Sequence, residues 1–96
     1  MATFGFIGTG NMGGALARAA RKRLSGGEIL LANRSATKAE ALAQELDCRA
    51  VDNAAVAAGA DYIFLGVKPQ TMSRMLQPLQ PILAGRRTPF VLVSMA

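Results

Sequence analysis

Residues 8–13 read Gly8-Thr9-Gly10-Asn11-Met12-Gly13, a G-x-G-x-x-G spacing. Each glycine in that spacing has its own physical task. Gly8 permits a tight turn, Gly10 lets the backbone approach a pyrophosphate, and Gly13 lets a helix pack closely on a strand. The phosphates then meet the free N–H groups and the positive dipole end of a helix N-terminus. The chemistry implied is dinucleotide binding. The pattern carries weight only where a strand precedes it and a helix follows. Both are expected here, because Thr3 to Ile7 reads as a short buried strand and a helical period begins at Asn11.

A second group of residues selects among dinucleotides. NAD-binding domains place an Asp or Glu at the end of the second strand, roughly 20 residues after the loop, to hold the ribose 2′-hydroxyl. This chain has Asn33-Arg34-Ser35 there and no carboxylate. A carboxylate repels a 2′-phosphate, whereas Arg34 and Ser35 bond to one. Lys38, one helical turn from Arg34, adds positive charge. The expected cofactor is therefore NADP(H) in preference to NAD(H).

A third group is Leu65-Gly66-Val67-Lys68-Pro69-Gln70, at the end of the fourth predicted strand. Ligands of open α/β sheets lie outside the C-terminal ends of the strands, at the point where strand order reverses. Gly66, Val67, Lys68 and Pro69 are thus expected to edge the cleft near the nicotinamide half, with Lys68 free to bond to ribose or to cap something local. The chain has no histidine and a single cysteine, Cys48. That removes the usual zinc ligand and the usual general base, so no metal site and no catalytic residue is assigned.

The elements that must position these residues follow from periodicity. Met12, Leu16, Ala20 and Leu24 form one helical stripe that Arg18, Arg21 and Lys22 avoid, and Ser25-Gly26-Gly27 ends that helix. Glu28 to Asn33 is a second strand, with Ile29, Leu30 and Leu31 in an unbroken apolar run as in buried parallel sheets. The next helix buries Ala39, Leu42, Ala43 and Leu46; Thr37 and Glu40 have capping-box spacing and Ser35 is a rival N-cap. Cys48 to Val51 is a weak third strand, and Asp52 or Asn53 caps a short alanine helix ending at Gly59. Tyr62 to Val67 is the fourth strand. Pro69 opens a helix to about Leu83 whose second half Pro78 and Pro81 should kink or break. Pro89 to Met95 is the fifth strand. This alternation predicts an α/β, Rossmann-type doubly wound parallel sheet in order 3-2-1-4-5, truncated after the fifth strand.

The 96 residues, 51% hydrophobic and 18% charged, suit one domain spanning 1–96. The net charge of +5 is scattered and aromatics are few, which argues against a nucleic-acid partner. No apolar run approaches the roughly 20 residues of a membrane span, and a cytoplasmic location follows by default.

Taken together, Ile7-Gly8-Thr9-Gly10-Asn11-Met12, Asn33-Arg34-Ser35, Asp52-Asn53, Val67-Lys68-Pro69-Gln70 and Val93-Ser94-Met95-Ala96 resemble pyrroline-5-carboxylate reductase along the whole chain. The Val-Lys-Pro turn is the most specific of these motifs. The resemblance implies hydride transfer from NAD(P)H to the imine of 1-pyrroline-5-carboxylate, giving L-proline. It implies that the backbone of Ile7 to Met12 holds the pyrophosphate and that Ser35, with Arg34, meets the 2′-phosphate. It further implies that Asn53 bonds to the adenosine side, that Gly66 to Pro69 line the nicotinamide ribose, and that Ala96 lies near the nicotinamide. In that family a C-terminal helical domain completes the active site for the small imino-acid substrate and forms a homo-oligomer. That domain would lie beyond Ala96, so the chain alone is expected to be inactive. Three other readings stay open: a β-hydroxyacid dehydrogenase, a deazaflavin-dependent NADP reductase, and a non-catalytic cofactor-sensing domain.

Overall fold

The structure, a computed structural model, describes residues 2–8 and 11–94, apart from the side chains of Asn11, Met12 and Pro69. Five strands form one sheet: β1 (Phe4–Ile7), β2 (Ile29–Ala32), β3 (Arg49–Ala50), β4 (Tyr62–Leu65) and β5 (Val91–Ser94). Their order is β3-β2-β1-β4-β5 and every pairing is parallel. This is the Rossmann-type architecture that the strand–helix alternation implies. Between the strands run α1 (Asn11–Arg21), α2 (Ala36–Leu46), α3 (Asn53–Gly59), α4 (Pro69–Leu76) and α5 (Gln80–Ala84).

Successive strand residues point to opposite faces, and each face carries its own core. On one side Phe6, Ile29 and Leu31 pack with Ala17 of α1 and with Leu42 and Ala43 of α2. On the other, Ile7, Leu30, Ile63 and Leu65 pack with Val56 and Ala57 of α3 and with Leu79. Phe6 stacks on Phe64 across the β1–β4 pair, ring centroids 5.0 Å apart. The Asp61 carboxylate accepts from the Thr3 N–H at 2.8 Å and pins the entry of β1 beside β4. The radius of gyration is 12.1 Å, close to the roughly 12.5 Å of a folded domain of this length.

Three local expectations need correction. In α1 the buried side chain of the stripe's neighbourhood is Ala17, fully enclosed, while Leu16 is 38% exposed. Gly13 is buried against the turn that follows β1, so the residues one and two turns beyond it face the sheet. Arg21 is not on a solvated face. Its Nε donates to the Leu46 carbonyl at 2.7 Å and its Nη1 to the Leu24 carbonyl at 3.0 Å, closing two chain ends that would otherwise leave carbonyls unpaired. Ser35 holds the N-cap position of α2, which places the Thr37–Glu40 pair inside the helix rather than at its box. The helix from Pro69 breaks in its second half, as its prolines imply, into α4, a 3₁₀ turn (Gln77–Leu79) and α5. Pro78 and Pro81 each sit in the first turn of a new segment, where a missing N–H costs nothing.

Asp52, not Asn53, caps α3: its Oδ1 accepts from the Ala55 N–H at 2.8 Å. On the edge strand β5, Val91 and Leu92 are 48% and 42% exposed. Among the described residues no helix is long and apolar enough to cross a membrane.

Candidate functional site

The ends of β1, β2 and β4 are stitched together just beyond the sheet. The Gly8 N–H donates to the Ala32 carbonyl at 2.8 Å, and the Gly66 N–H donates to the Ile7 carbonyl at 2.8 Å. Gly8 sits at φ +88, a left-handed conformation that side chains disfavour. A Cβ there would stand 2.7 Å from the Gly66 carbonyl oxygen. A Cβ on Gly13 would run into the Gly8 carbonyl oxygen. Strand end, turn and helix start therefore pack backbone on backbone.

This arrangement opens a cleft of about 380 Å³ at the C-terminal end of the sheet, within the usual range for small-molecule sites. It brings together Ile7, Gly8, Asn33, Arg34, Asn53 and Val67. The helix α4 adds Thr71, Arg74 and Met75, which share one helix face. A neighbouring hollow of about 430 Å³ also includes Asn33, Arg34 and Asn53, and extends past Asp52 toward Pro78 and Ile82.

Other described residues singled out from the sequence are not part of that lining. Ser35 is exposed at the start of α2. Gly66 abuts Gly8, and Lys68 is exposed at the N-cap of α4, where its carbonyl accepts from the Thr71 and Met72 N–H groups. Pro69 opens α4, and Asn11 and Met12 lie in the first turn of α1. Thr9, Gly10 and Ala96 fall outside the described residues. Thr71, Arg74 and Met75 were missed by motif reading, although their spacing along a helix that starts at the switch point was there to be used.

The electrostatics of the cleft favour an anion. No carboxylate lines the 380 Å³ cavity, whereas Arg34 and Arg74 both do. Asp52 in the adjoining hollow is committed to its helix cap. Apolar Ile7, Val67 and Met75 supply a non-polar surface beside these charges. A site lined by glycine backbone, apolar side chains and two cations fits the phosphates and base of a dinucleotide. Among the described residues no cluster of potential metal ligands occurs.

A family model described as "NADP oxidoreductase coenzyme F420-dependent" matches residues 3–96. No match is found among curated proteins. Among solved structures, a pyrroline-5-carboxylate reductase from Coxiella burnetii is 27% identical over 99% of this chain, with a TM-score of 0.88. A Plasmodium falciparum pyrroline carboxylate reductase with NADP bound is 24% identical over 98% of the chain, TM-score 0.74. A UDP-N-acetylglucosamine 3-dehydrogenase from Acidithiobacillus ferrooxidans is 23% identical over 85%, TM-score 0.69. The chain spans 35%, 33% and 27% of the lengths of these three structures.

Proposed function

The chain belongs to the family of NADP oxidoreductases described as coenzyme F420-dependent, and from that premise we propose that it is the NADP(H)-binding domain of a reductase that makes L-proline from 1-pyrroline-5-carboxylate. One observation carries the cofactor half of this reading. The Gly8 turn and Arg34 line the same carboxylate-free cleft. The substrate half rests on the Val67-Lys68-Pro69-Gln70 turn and on the likeness to the Coxiella burnetii enzyme along nearly the whole chain.

In this reading the backbone from Ile7 through Thr9, Gly10, Asn11 and Met12 cradles the pyrophosphate at the start of α1. Arg34 and Ser35 bond to the 2′-phosphate, with Asn33 beside them, and Asn53 meets the adenosine. Gly66, Val67, Lys68 and Pro69 edge the nicotinamide ribose, and Ala96 approaches the nicotinamide. When bound, NADPH supplies the hydride that reduces the imine carbon. The work of this chain is to hold the cofactor in one orientation; such positioning removes several kcal/mol from a barrier. The imino-acid site and the assembly into oligomers belong to the remainder of the whole protein.

Titration calorimetry tests the cofactor half. NADPH is expected to bind more tightly than NADH by about 1–3 kcal/mol, the worth of charge-assisted bonds to the extra phosphate. Equal affinities, or tighter NADH, would overturn it. The family description favours a second reading, reduction linked to a deazaflavin. NADPH oxidation by the whole protein with 1-pyrroline-5-carboxylate, set against oxidation with a deazaflavin acceptor, separates the two.

A further inference from the structure

We propose that Arg74 on α4 is a second ligand of the cofactor's 2′-phosphate, alongside Arg34 in the same cavity. The inference rests on the reading of the cleft as an NADP(H) site and deepens it.

The argument starts from how the chain uses its eight arginines. Arg18 is paired with Glu45. Arg21, Arg49 and Arg86 each donate to main-chain carbonyls. Arg23, Arg34, Arg74 and Arg87 make no hydrogen bond or ion pair with the described residues. Arg23 and Arg87 are exposed and line none of the described cavities. Arg34 and Arg74 come from distant parts of the chain, one after β2 and one in α4, yet line the same cavity. Two guanidinium groups line one cleft, and neither is offset there by a lining carboxylate. A dianion is the ligand that balances both charges.

The charge arithmetic favours a phosphate monoester over a phosphodiester. A monoester carries about −1.5 to −2 at neutral pH, which one arginine only half neutralises. Each bridging phosphate of a dinucleotide carries a single charge, and the Gly8 turn and the α1 N-terminus already face that role. Thr71, one turn before Arg74 and also in the lining, offers a hydroxyl on the same side. An arginine fork gives bidentate contact that a point charge does not.

The test is a set of titrations of the protein and its Arg34→Ala, Arg74→Gln and Arg74→Lys variants with NADP⁺, NAD⁺ and 2′-AMP. Arg74 is exposed, so the variants should fold, and circular dichroism checks that they do. Arg74→Gln is expected to weaken NADP⁺ and 2′-AMP about tenfold, one charge-assisted bond, and to leave NAD⁺ within about twofold. Arg74→Lys should retain part of the preference, and the Arg34→Ala/Arg74→Gln double variant should abolish it. Equal weakening of NADP⁺ and NAD⁺ would assign Arg74 to the base or the diphosphate and overturn the proposal. So would no change in Arg74→Gln while Arg34→Ala alone erases the preference, an outcome that leaves the NADP(H) reading standing. A parent protein that binds neither dinucleotide would take down both.

Discussion

Gly8 is wedged against Gly66: a Cβ on Gly8 would stand 2.7 Å from the Gly66 carbonyl oxygen and 3.0 Å from Val67 Cγ1. The contact joins the turn after β1 to the turn after β4, the two sides of the cleft. Two penalties then fall on Gly8→Ala, because φ +88 is strained for any side chain and the backbone neighbour cannot swing away. The variant should lose about 2 kcal/mol or more of folding stability, read as a lower urea midpoint, and should bind NADPH weakly even where folded. A midpoint equal to that of the parent would contradict the packing described.

Arg86 ties the C-terminal end of α3 to the segment that leads into β5. Its Nη1 donates to the Ala57 carbonyl at 2.9 Å and the Ala60 carbonyl at 2.6 Å, while its Nη2 reaches Thr88 Oγ1 at 3.0 Å. The guanidinium also lies 5.0 Å from the centroid of the Phe90 ring. Its Nε is buried without a hydrogen-bond partner, so the two terminal nitrogens carry the whole attachment. Arg86→Ala removes donors from half-buried helix-end carbonyls and should cost about 2–3 kcal/mol. Arg86→Lys should recover less than half of this, because an ammonium cannot span the same acceptors. Urea denaturation of the two variants checks both values.

Arg18 and Glu45 bridge α1 and α2 at 2.7 Å, with side chains 52% and 53% exposed. The hydrogen bond from Arg18 holds the Glu45 carboxyl below its ordinary value, and the Arg18 charge adds to this. A carboxyl lowered in the folded state stabilises above its unfolded pKa and loses that contribution as pH falls through the folded value. Because the pair is exposed and screened, its effect should be small. Glu45→Gln is expected to match the parent's urea midpoint at neutral pH and about 0.15 M salt. Any deficit visible at low salt should vanish on acidification through the carboxylate range. A large, salt-independent loss at neutral pH would refute this account.

Much of the fold was legible because it depends on local pattern. The unbroken apolar run of Ile29 to Leu31 marks a strand buried on both faces, and it proves buried throughout. The G-x-G-x-x-G spacing marks a strand–turn–helix junction, and Gly8 and Gly13 occupy backbone contacts that admit no side chain. The missing carboxylate after β2 is a fact of composition, and Arg34 does line the cleft beside it.

Other features were decided only when distant segments met. Leu16 looked like a core residue by size, yet the seating of Gly13 turns Ala17 inward instead, since the closest-packed helix position is chosen by the neighbour and not by hydrophobicity. Arg21 reads as a charge off the apolar stripe because one of its acceptors, the Leu46 carbonyl, lies 25 residues away along the chain, and the Ala57 carbonyl that Arg86 reaches is 29 residues from it. Arg74 belongs to no motif. It enters the site because the parallel crossover from β4 brings α4 to the same end of the sheet as Arg34. The sequence by itself determined the order of elements and the phosphate-type turn, which need only neighbouring residues and the 2- and 3.6-residue periods. The tertiary structure alone decided which of the eight arginines are bound to carbonyls or a carboxylate and which are left facing the cleft, because a guanidinium's partner is fixed by packing across the sheet.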